Sequence, residues 1–466
     1  MTIKNIHIDQ KVLVVGAGVS GMAACRLLKS KGCKVRLTDG KARERQAEAD
    51  LVWLDENNIE QEFGGHADES FLKAGLIVVS PGVPLDIGPL NKARAQGITI
   101  IGELELGSWF FKGEIIAITG TNGKTTVTSM IGDGLSLAGR SVFIGGNIGT
   151  PLSAHVLSEK QAEVAVLEVS SFQLDSMACF KPKVALLLNI SPDHLDRYKD
   201  YAAYVDSKMS IFAKQTNKDV AILCGTDEKI MARKDQLQGA IVLFDDEHWH
   251  IDQRHGCLVW REKDEAYTLR GLQMKRPNVQ NCMAAISGCR VMGASKDVVQ
   301  QMLRHFEIPA HRLTGIGTYN GVEFVDDSKA TNIGAVQAAL AGFSRPVVLI
   351  AGGRGKGGDY SMLCAEMGRI VKALILIGEA ASEMQTAFAG VTHVVMADDM
   401  DDAVGQAVAV AREGDVVLLS PACASFDMYT GYAQRGEVFT RAVQRNMSVG
   451  GSLQNGMAPK IMRQAV

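Results

Sequence analysis

Aromatic side chains are scarce in this chain, 6% of 466 residues, and neither sign of charge dominates. Lys and Arg number 49 against 52 Asp and Glu, a formal balance of −3. A chain this close to neutral carries no electrostatic footprint for generic nucleic-acid binding. Long apolar runs are missing too: stretches such as Val184–Leu188 are far too short to span a bilayer. The opening MTIKNIHIDQ lacks the basic patch, apolar stretch and small-residue cleavage site of a signal peptide. The nine cysteines form no Cys-x-x-Cys pair and no zinc-like spacing. That excludes a disulfide framework or a cysteine metal site and fits reduced thiols in a cytoplasmic protein, with Cys423 as a core thiol. Hydrophobic content of 46% with 22% charged residues excludes intrinsic disorder.

What the chain has in quantity is glycine, 48 residues, about 10% against a usual level of roughly 7%. Glycines without low-complexity repeats imply tight turns and loops that approach ligands closely. At about 150 residues per domain, the length implies two to four domains. Three stretches restart one pattern of apolar strand, glycine-rich turn and helical period. The first has strands at 11–15, 34–39 and 76–80. The second has strands at 114–119, 164–168 and 184–190, with a helix from about Lys124. The third has strands at 346–353, 373–378 and 415–420. Short Val/Ile/Leu runs alternating with amphipathic helices predict parallel strands with crossover helices. The pattern resets near 102 and 308, which predicts domains 1–102, 103–308 and 309–466. Segment 240–275, with Trp249, Trp260 and irregularly spaced histidines, reads as a small antiparallel insertion. The tail from about Asn446 has weak periodicity and reads as a mobile end.

Two loops carry chemistry. Gly16-Ala17-Gly18-Val19-Ser20-Gly21 is a full G-x-G-x-x-G between a strand and a helix, where backbone amides meet a diphosphate. Asp39 closes the next strand, 18 residues beyond Gly21, where an acid accepts a ribose hydroxyl. Gly82, after the strand 76–80, can present its backbone to the same ligand. The motif specifies a nucleotide diphosphate without specifying NAD. The second loop runs Gly120-Thr121-Asn122-Gly123-Lys124-Thr125-Thr126. Only two residues separate its glycines, a departure from G-x-x-x-x-G-K-[ST], yet the mechanics hold. Loop amides cradle phosphates, Lys124 neutralises their terminal charge, and the Thr125 hydroxyl can ligate Mg²⁺. Glu168 ends its strand beside that loop, where an acid can hold magnesium.

GTNGKTT (120–126), LEVSSFQL (167–174) and NISPDHLDRY (189–198) resemble segments of the ATP-dependent Mur ligases of peptidoglycan synthesis. VDDSKATN (325–332), GGRGKGGD (352–359) and SPACASFDMYTGYAQRGEVF (420–439) are similar to the D-glutamate-adding members. The resemblance spans residues 10 to about 445. It implies an α/β fold of three domains: an N-terminal Rossmann-like unit, a central P-loop ATPase-type unit and a C-terminal Rossmann-like unit. The implied reaction joins D-glutamate to UDP-N-acetylmuramoyl-L-alanine through an acyl phosphate. By resemblance, ATP is held by Gly120–Thr126, Asn278, Asn281, Arg312 and Asp327, although Pro277 stands where the family usually has histidine. Two Mg²⁺ ions are implied, one at Thr125 and Glu168, the other at His194 and a carbamylated Lys208. Lys124, His194 and Lys208 are the implied catalytic residues, while Lys208 by itself reads as a solvated helix lysine. The UDP-sugar falls to Gly18, Val19, Ser20, Asp39, Gly40, Gly82 and Asn147, with Ser170 and Gln173 in the same cleft. Glutamate falls to Thr331, Lys356, Ser425 and Tyr432, the last replacing a common phenylalanine. The family expectation is a cytoplasmic monomer whose domains close over their ligands.

Beside a non-catalytic nucleotide-binding regulator, which predicts no ADP release with any amino acid, two other catalytic readings remain at this level. One keeps the reaction and changes the acceptor or amino acid, L-glutamate included, as in another Mur ligase or a folylpolyglutamate synthetase. The full N-terminal unit argues against the folate enzyme. The other is a nicotinamide-dependent oxidoreductase, which leaves the second loop, Glu168 and VDDSKATN unexplained.

Overall fold

The computed structural model describes residues 10–252, 254–270, 277–307 and 309–449. Contacts divide these into two compact units, residues 10–191 with 198–307, and residues 192–197 with 309–449.

The first unit contains three sheets. β1 (Lys11–Val15), β2 (Lys34–Asp39), β3 (Glu60–Phe63), β4 (Leu76–Val79) and β5 (Ile100–Gly102) form a parallel sheet in the order β3-β2-β1-β4-β5. Alternation along β1 sends Val12 and Val14 to one core and Leu13 and Val15 to the other. Both faces are therefore covered, which is why this strand reads as an unbroken apolar run. β6 (Glu114–Thr119), β7 (Val142–Gly146), β8 (Val164–Glu168), β9 (Val184–Leu187), β10 (Val220–Cys224) and β11 (Ala240–Phe244) form a second parallel sheet, ordered β11-β10-β9-β6-β8-β7. The chain runs outward from β6 to β7, returns to β8, then crosses β6 to β9. Ligand crevices form outside the carboxyl ends of such strands.

The insertion is present but shorter than its sequence suggests. β12 (Trp249–Asp252), β13 (Cys257–Trp260) and β14 (Glu265–Thr268) form an antiparallel sheet in which Trp249 and Trp260 are register partners. Their rings stack at 4.7 Å. Residues 240–244 belong instead to the large sheet, because β11 pairs in parallel with β10. Residues 271–275 lie outside the described residues.

The second unit holds β15 (Thr314–Tyr319), β16 (Val322–Asp326), β17 (Val347–Gly352), β18 (Val371–Ile377), β19 (His393–Met396) and β20 (Val416–Leu419), ordered β15-β16-β20-β17-β18-β19. β15 alone is antiparallel, joined to β16 through Asn320 and Gly321, both at positive φ (49° and 73°). An Asn-Gly pair in that conformation is the two-residue hairpin turn. The helix Tyr432–Val449 carries the chain through Asn446, so the tail expected from that residue begins as helix. Residues 450–466 lie outside the described residues. No described helix is long and apolar enough to cross a membrane.

Candidate active site

β6 ends at Thr119 and the helix Lys124–Leu137 begins after Gly123, whose φ of 85° requires glycine. A Cβ on Gly123 would also lie 2.3 Å from Asn281 Oδ1. The helix Asn278–Val291 thus brings buried Asn281 against the loop, with Asn278 buried on the same first turn. Asn189, just past β9, holds the loop from the other side. Its Oδ1 accepts from the Asn122 amide at 2.8 Å, and its Nδ2 donates to the Asn122 carbonyl at 3.1 Å. Thr121 Oγ1 donates to the Ser191 carbonyl at 3.1 Å and accepts from the Ser191 amide at 3.0 Å. Lys124 Nζ donates to the carbonyls of Gly120 and Thr121, each at 3.0 Å.

Lys208 is buried rather than solvated, at 2% exposure. Its ammonium donates to the Gly120 carbonyl at 2.9 Å and lies 4.7 Å from the Tyr204 ring centroid. Two lysines therefore meet the phosphate-type loop at one carbonyl. Glu168, at 3% exposure, pairs in register with Ile118 on β6 and Gly146 on β7. Its Oε1 accepts from Asn147 Nδ2 at 2.8 Å, while Oε2 is buried with no hydrogen-bond partner among the described residues. Thr119 and Thr126 hydroxyls share that condition. A buried, orphaned carboxylate oxygen is costly unless a cation or donor completes it. No described group of three His, Cys, Asp or Glu side chains converges as a metal centre. One carboxylate beside a phosphate loop instead suits Mg²⁺, which takes few protein ligands and completes its shell with phosphate and water. Ser170 and Gln173 form a capping box on the helix Ser171–Leu174, which accounts for both locally.

In the first sheet, Gly16 turns at φ 97° and Gly18 caps the helix Val19–Ser30. A Cβ on Gly21 would meet the Gly16 carbonyl at 1.8 Å, so strand and helix close tightly there. Asp39 Oδ2 accepts from the Ala17 amide at 2.6 Å and Oδ1 from the Lys41 amide at 2.7 Å. The acid thus shapes the glycine loop itself. Gly18 and Gly82 have open space where a Cβ would stand, and Val19 is 74% exposed beside Gly18.

In the second unit, Lys356 follows β17 and donates to Asp193 Oδ1 at 3.3 Å. Asn332 Nδ2 donates to Asp193 Oδ2 at 3.1 Å. His194, at φ 56°, follows this acid and its amide donates to Asp193 Oδ1. Thr331 precedes Asn332, which caps the helix Ile333–Ala341. Ser425 is buried beyond β20, and Lys329 Nζ sits 4.9 Å from the Tyr432 ring. Asp327 is buried, with Ser420 Oγ donating to Oδ2 at 2.9 Å and the Leu313 amide to Oδ1 at 3.3 Å. Burial pushes its carboxyl up to about 7, against the Ser420 hydrogen bond and the nearby Arg312 charge.

Family models match along the chain: a Mur ligase MurD-like N-terminal domain over residues 10–102, a Mur ligase middle domain over 118–288, and a Mur ligase glutamate ligase domain over 311–423. The chain is 40% identical over 444 residues to the UDP-N-acetylmuramoylalanine--D-glutamate ligase of Geotalea uraniireducens (strain Rf4), covering 94% of this chain and 98% of that protein. The chain belongs to the Mur ligase family. The Salinibacter ruber (strain DSM 13855 / M31) protein of the same name is 42% identical over 456 residues, covering 93% of this chain and 97% of its own. The fold matches the solved MurF ligase of Thermotoga maritima in complex with ADP, with a TM-score of 0.60 and 16% identity over 90% of this chain and 96% of that one.

Within this Mur ligase, the first unit brings Gly120–Thr126, Glu168, Asn147, Lys208 and Asn281 to one end of the middle sheet. Sequence reasoning assigned no role to Asn189, to Ser191 as the partner of Thr121, or to buried Arg435. The Arg435 guanidinium donates to the carbonyls of Ser328 at 2.8 Å and Cys423 at 3.0 Å. Arg435 stood inside a quoted motif. Nothing in its spacing distinguishes a buried arginine from a solvated one.

Proposed function

We propose that this Mur ligase joins D-glutamate to UDP-N-acetylmuramoyl-L-alanine in peptidoglycan precursor synthesis, converting ATP to ADP and phosphate through an acyl phosphate. The observation that carries the reading is identity of about 40% along 94% of the chain to relatives bearing that activity in their name. The loop at Gly120–Gly123 beside the orphaned Glu168 oxygen supports it independently. Phosphoryl transfer needs little covalent help and much positioned charge. Loop amides with Lys124 bind the phosphates, and Asn278 and Asn281 are assigned to the adenine end of ATP. Thr125 and Glu168 would hold one Mg²⁺; His194 and Lys208, the latter carbamylated, would hold a second. Bound Mg²⁺ neutralises developing phosphate charge. Asn147 keeps Glu168 oriented on one oxygen, leaving the other for a cation. Arg312 and Asp327 are assigned to the nucleotide. Gly18, Val19, Ser20, Asp39, Gly40 and Gly82 are assigned to the UDP group. Thr331, Lys356, Ser425 and Tyr432 are assigned to the amino acid, with Lys356 exchanging Asp193 for a substrate carboxylate. The three-domain division at 102 and 308, a monomeric state and a cytoplasmic location complete the reading.

The test is phosphate release with ATP, Mg²⁺ and UDP-N-acetylmuramoyl-L-alanine across D-glutamate, L-glutamate, L-alanine and meso-diaminopimelate. Release with D-glutamate alone is expected. Dependence on any other amino acid would reassign the substrate.

A further inference from the structure

The turn Gly225-Thr226-Asp227, past the end of β10, lies in none of the quoted motifs, yet it reaches both sides of the nucleotide loop. On one side, Asp227 Oδ2 accepts from the Ile190 amide at 2.8 Å, next to the Asn189 that grips Asn122. On the other side stands Asp245, the residue after β11. Asp245 is buried at 6% exposure and holds a left-handed backbone at φ 53°. Its Oδ2 accepts from Thr226 Oγ1 at 2.8 Å and from Gln280 Nε2 at 2.5 Å. Gln280 immediately precedes Asn281, whose side chain fills the space against Gly123. A buried acid in that conformation persists only where surrounding contacts hold it. Here those contacts join two strand ends to the first turn of the helix Asn278–Val291.

We infer that Asp245 is a positioning residue for ATP: through Thr226 and Gln280 it fixes the helix turn that sets Asn281 against the phosphate loop. The inference rests on the reading that ATP phosphates bind at Gly120–Gly123. It touches neither the amino acid nor the UDP-sugar. Its effect therefore belongs to nucleotide affinity, since a supporting shell acts through the groups it orients.

The experiment measures the Kd of ATP·Mg²⁺ by titration calorimetry, KM for ATP and for D-glutamate, and Tm without nucleotide, in wild type, Asp245→Gly, Asp245→Asn and Gln280→Met. Glycine accepts φ 53° without strain, so Asp245→Gly removes the acceptor and leaves the backbone. It is expected to weaken ATP binding roughly tenfold, the scale of two ordinary hydrogen bonds, with KM for D-glutamate within about twofold. Asp245→Asn keeps an oxygen for both donors and tolerates the left-handed backbone, so it is expected to stay near wild type. Gln280→Met is expected to follow Asp245→Gly in direction. A lowered Tm with unchanged ATP affinity would overturn the inference, as would an asparagine variant as impaired as the glycine one. Wild-type protein that binds ATP but releases no phosphate would defeat the proposed reaction while leaving the calorimetric arm decisive for Asp245.

Discussion

Asp327 is buried, at 7% exposure, and its proton follows from that. The folded carboxyl titrates at about 7, whereas the unfolded one titrates near the ordinary aspartate value of 3.8. Between those values the folded chain keeps a proton that the unfolded chain has released. Stability from this group is complete below the unfolded value and is lost as pH rises through 7. Wild-type Tm should therefore fall between pH 5 and pH 8 more steeply than that of Asp327→Asn, which cannot titrate. Thermal unfolding across that range checks it, and parallel slopes would refute the assignment. VDDSKATN was legible as a motif because its residue types are specific. The proton was not legible, since the burial that holds it comes from tertiary packing, and the donors that oppose it, Ser420 and the Leu313 amide, lie far from Asp327 in sequence. Lys208 makes the same point: alone it reads as a surface lysine, and only the folded helix Tyr201–Met209 buries it.

The helix Glu103–Phe110 follows directly on β5 and carries two buried acids. Glu105 accepts from the amides of Ala178, Cys179 and Phe180 at 3.1, 2.9 and 2.8 Å, and from Trp109 Nε1 at 2.6 Å. Glu103 accepts from the Ser153 amide at 2.8 Å, and burial pushes its carboxyl upward. Glu105→Ala would strand several amide donors, each costing about 1–3 kcal/mol where water cannot replace the acceptor. We expect a loss of about 3 kcal/mol in denaturant unfolding, with faster hydrogen exchange at Ala178–Phe180; a loss under about 1 kcal/mol would contradict this role. Among elements, the buried parallel strands were legible because both faces are apolar. β3 (EQEF) was not, because a half-exposed edge strand of polar residues has no apolar run. β15 (TGIGTY) was hidden by its glycines, which leave it no apolar run.

Each large sheet builds its own core. Val12, Leu13 and their neighbours serve the first, Ile116 to Ile118 the second, and Val347 to Ala351 the third. Chains whose compact units own separate cores depart from two-state melting. Scanning calorimetry should accordingly give a calorimetric enthalpy larger than the van't Hoff enthalpy. Equal values would mean that the whole chain melts as one cooperative body.

Residue order alone determined the three repeated α/β patterns, the glycine loops and the family, because apolar periodicity and short glycine motifs are local properties of the chain. It also set the acids and lysines within those motifs. Only the tertiary structure decided their states. Parallel pairing set Glu168 between Ile118 and Gly146, orphaned one of its oxygens and gave the other to Asn147. It laid Lys208 on the Gly120 carbonyl, 88 residues away in sequence, and buried Asp245 between Thr226 and Gln280. Burial and hydrogen-bond partnership depend on which strands lie side by side, and no window of sequence contains that information.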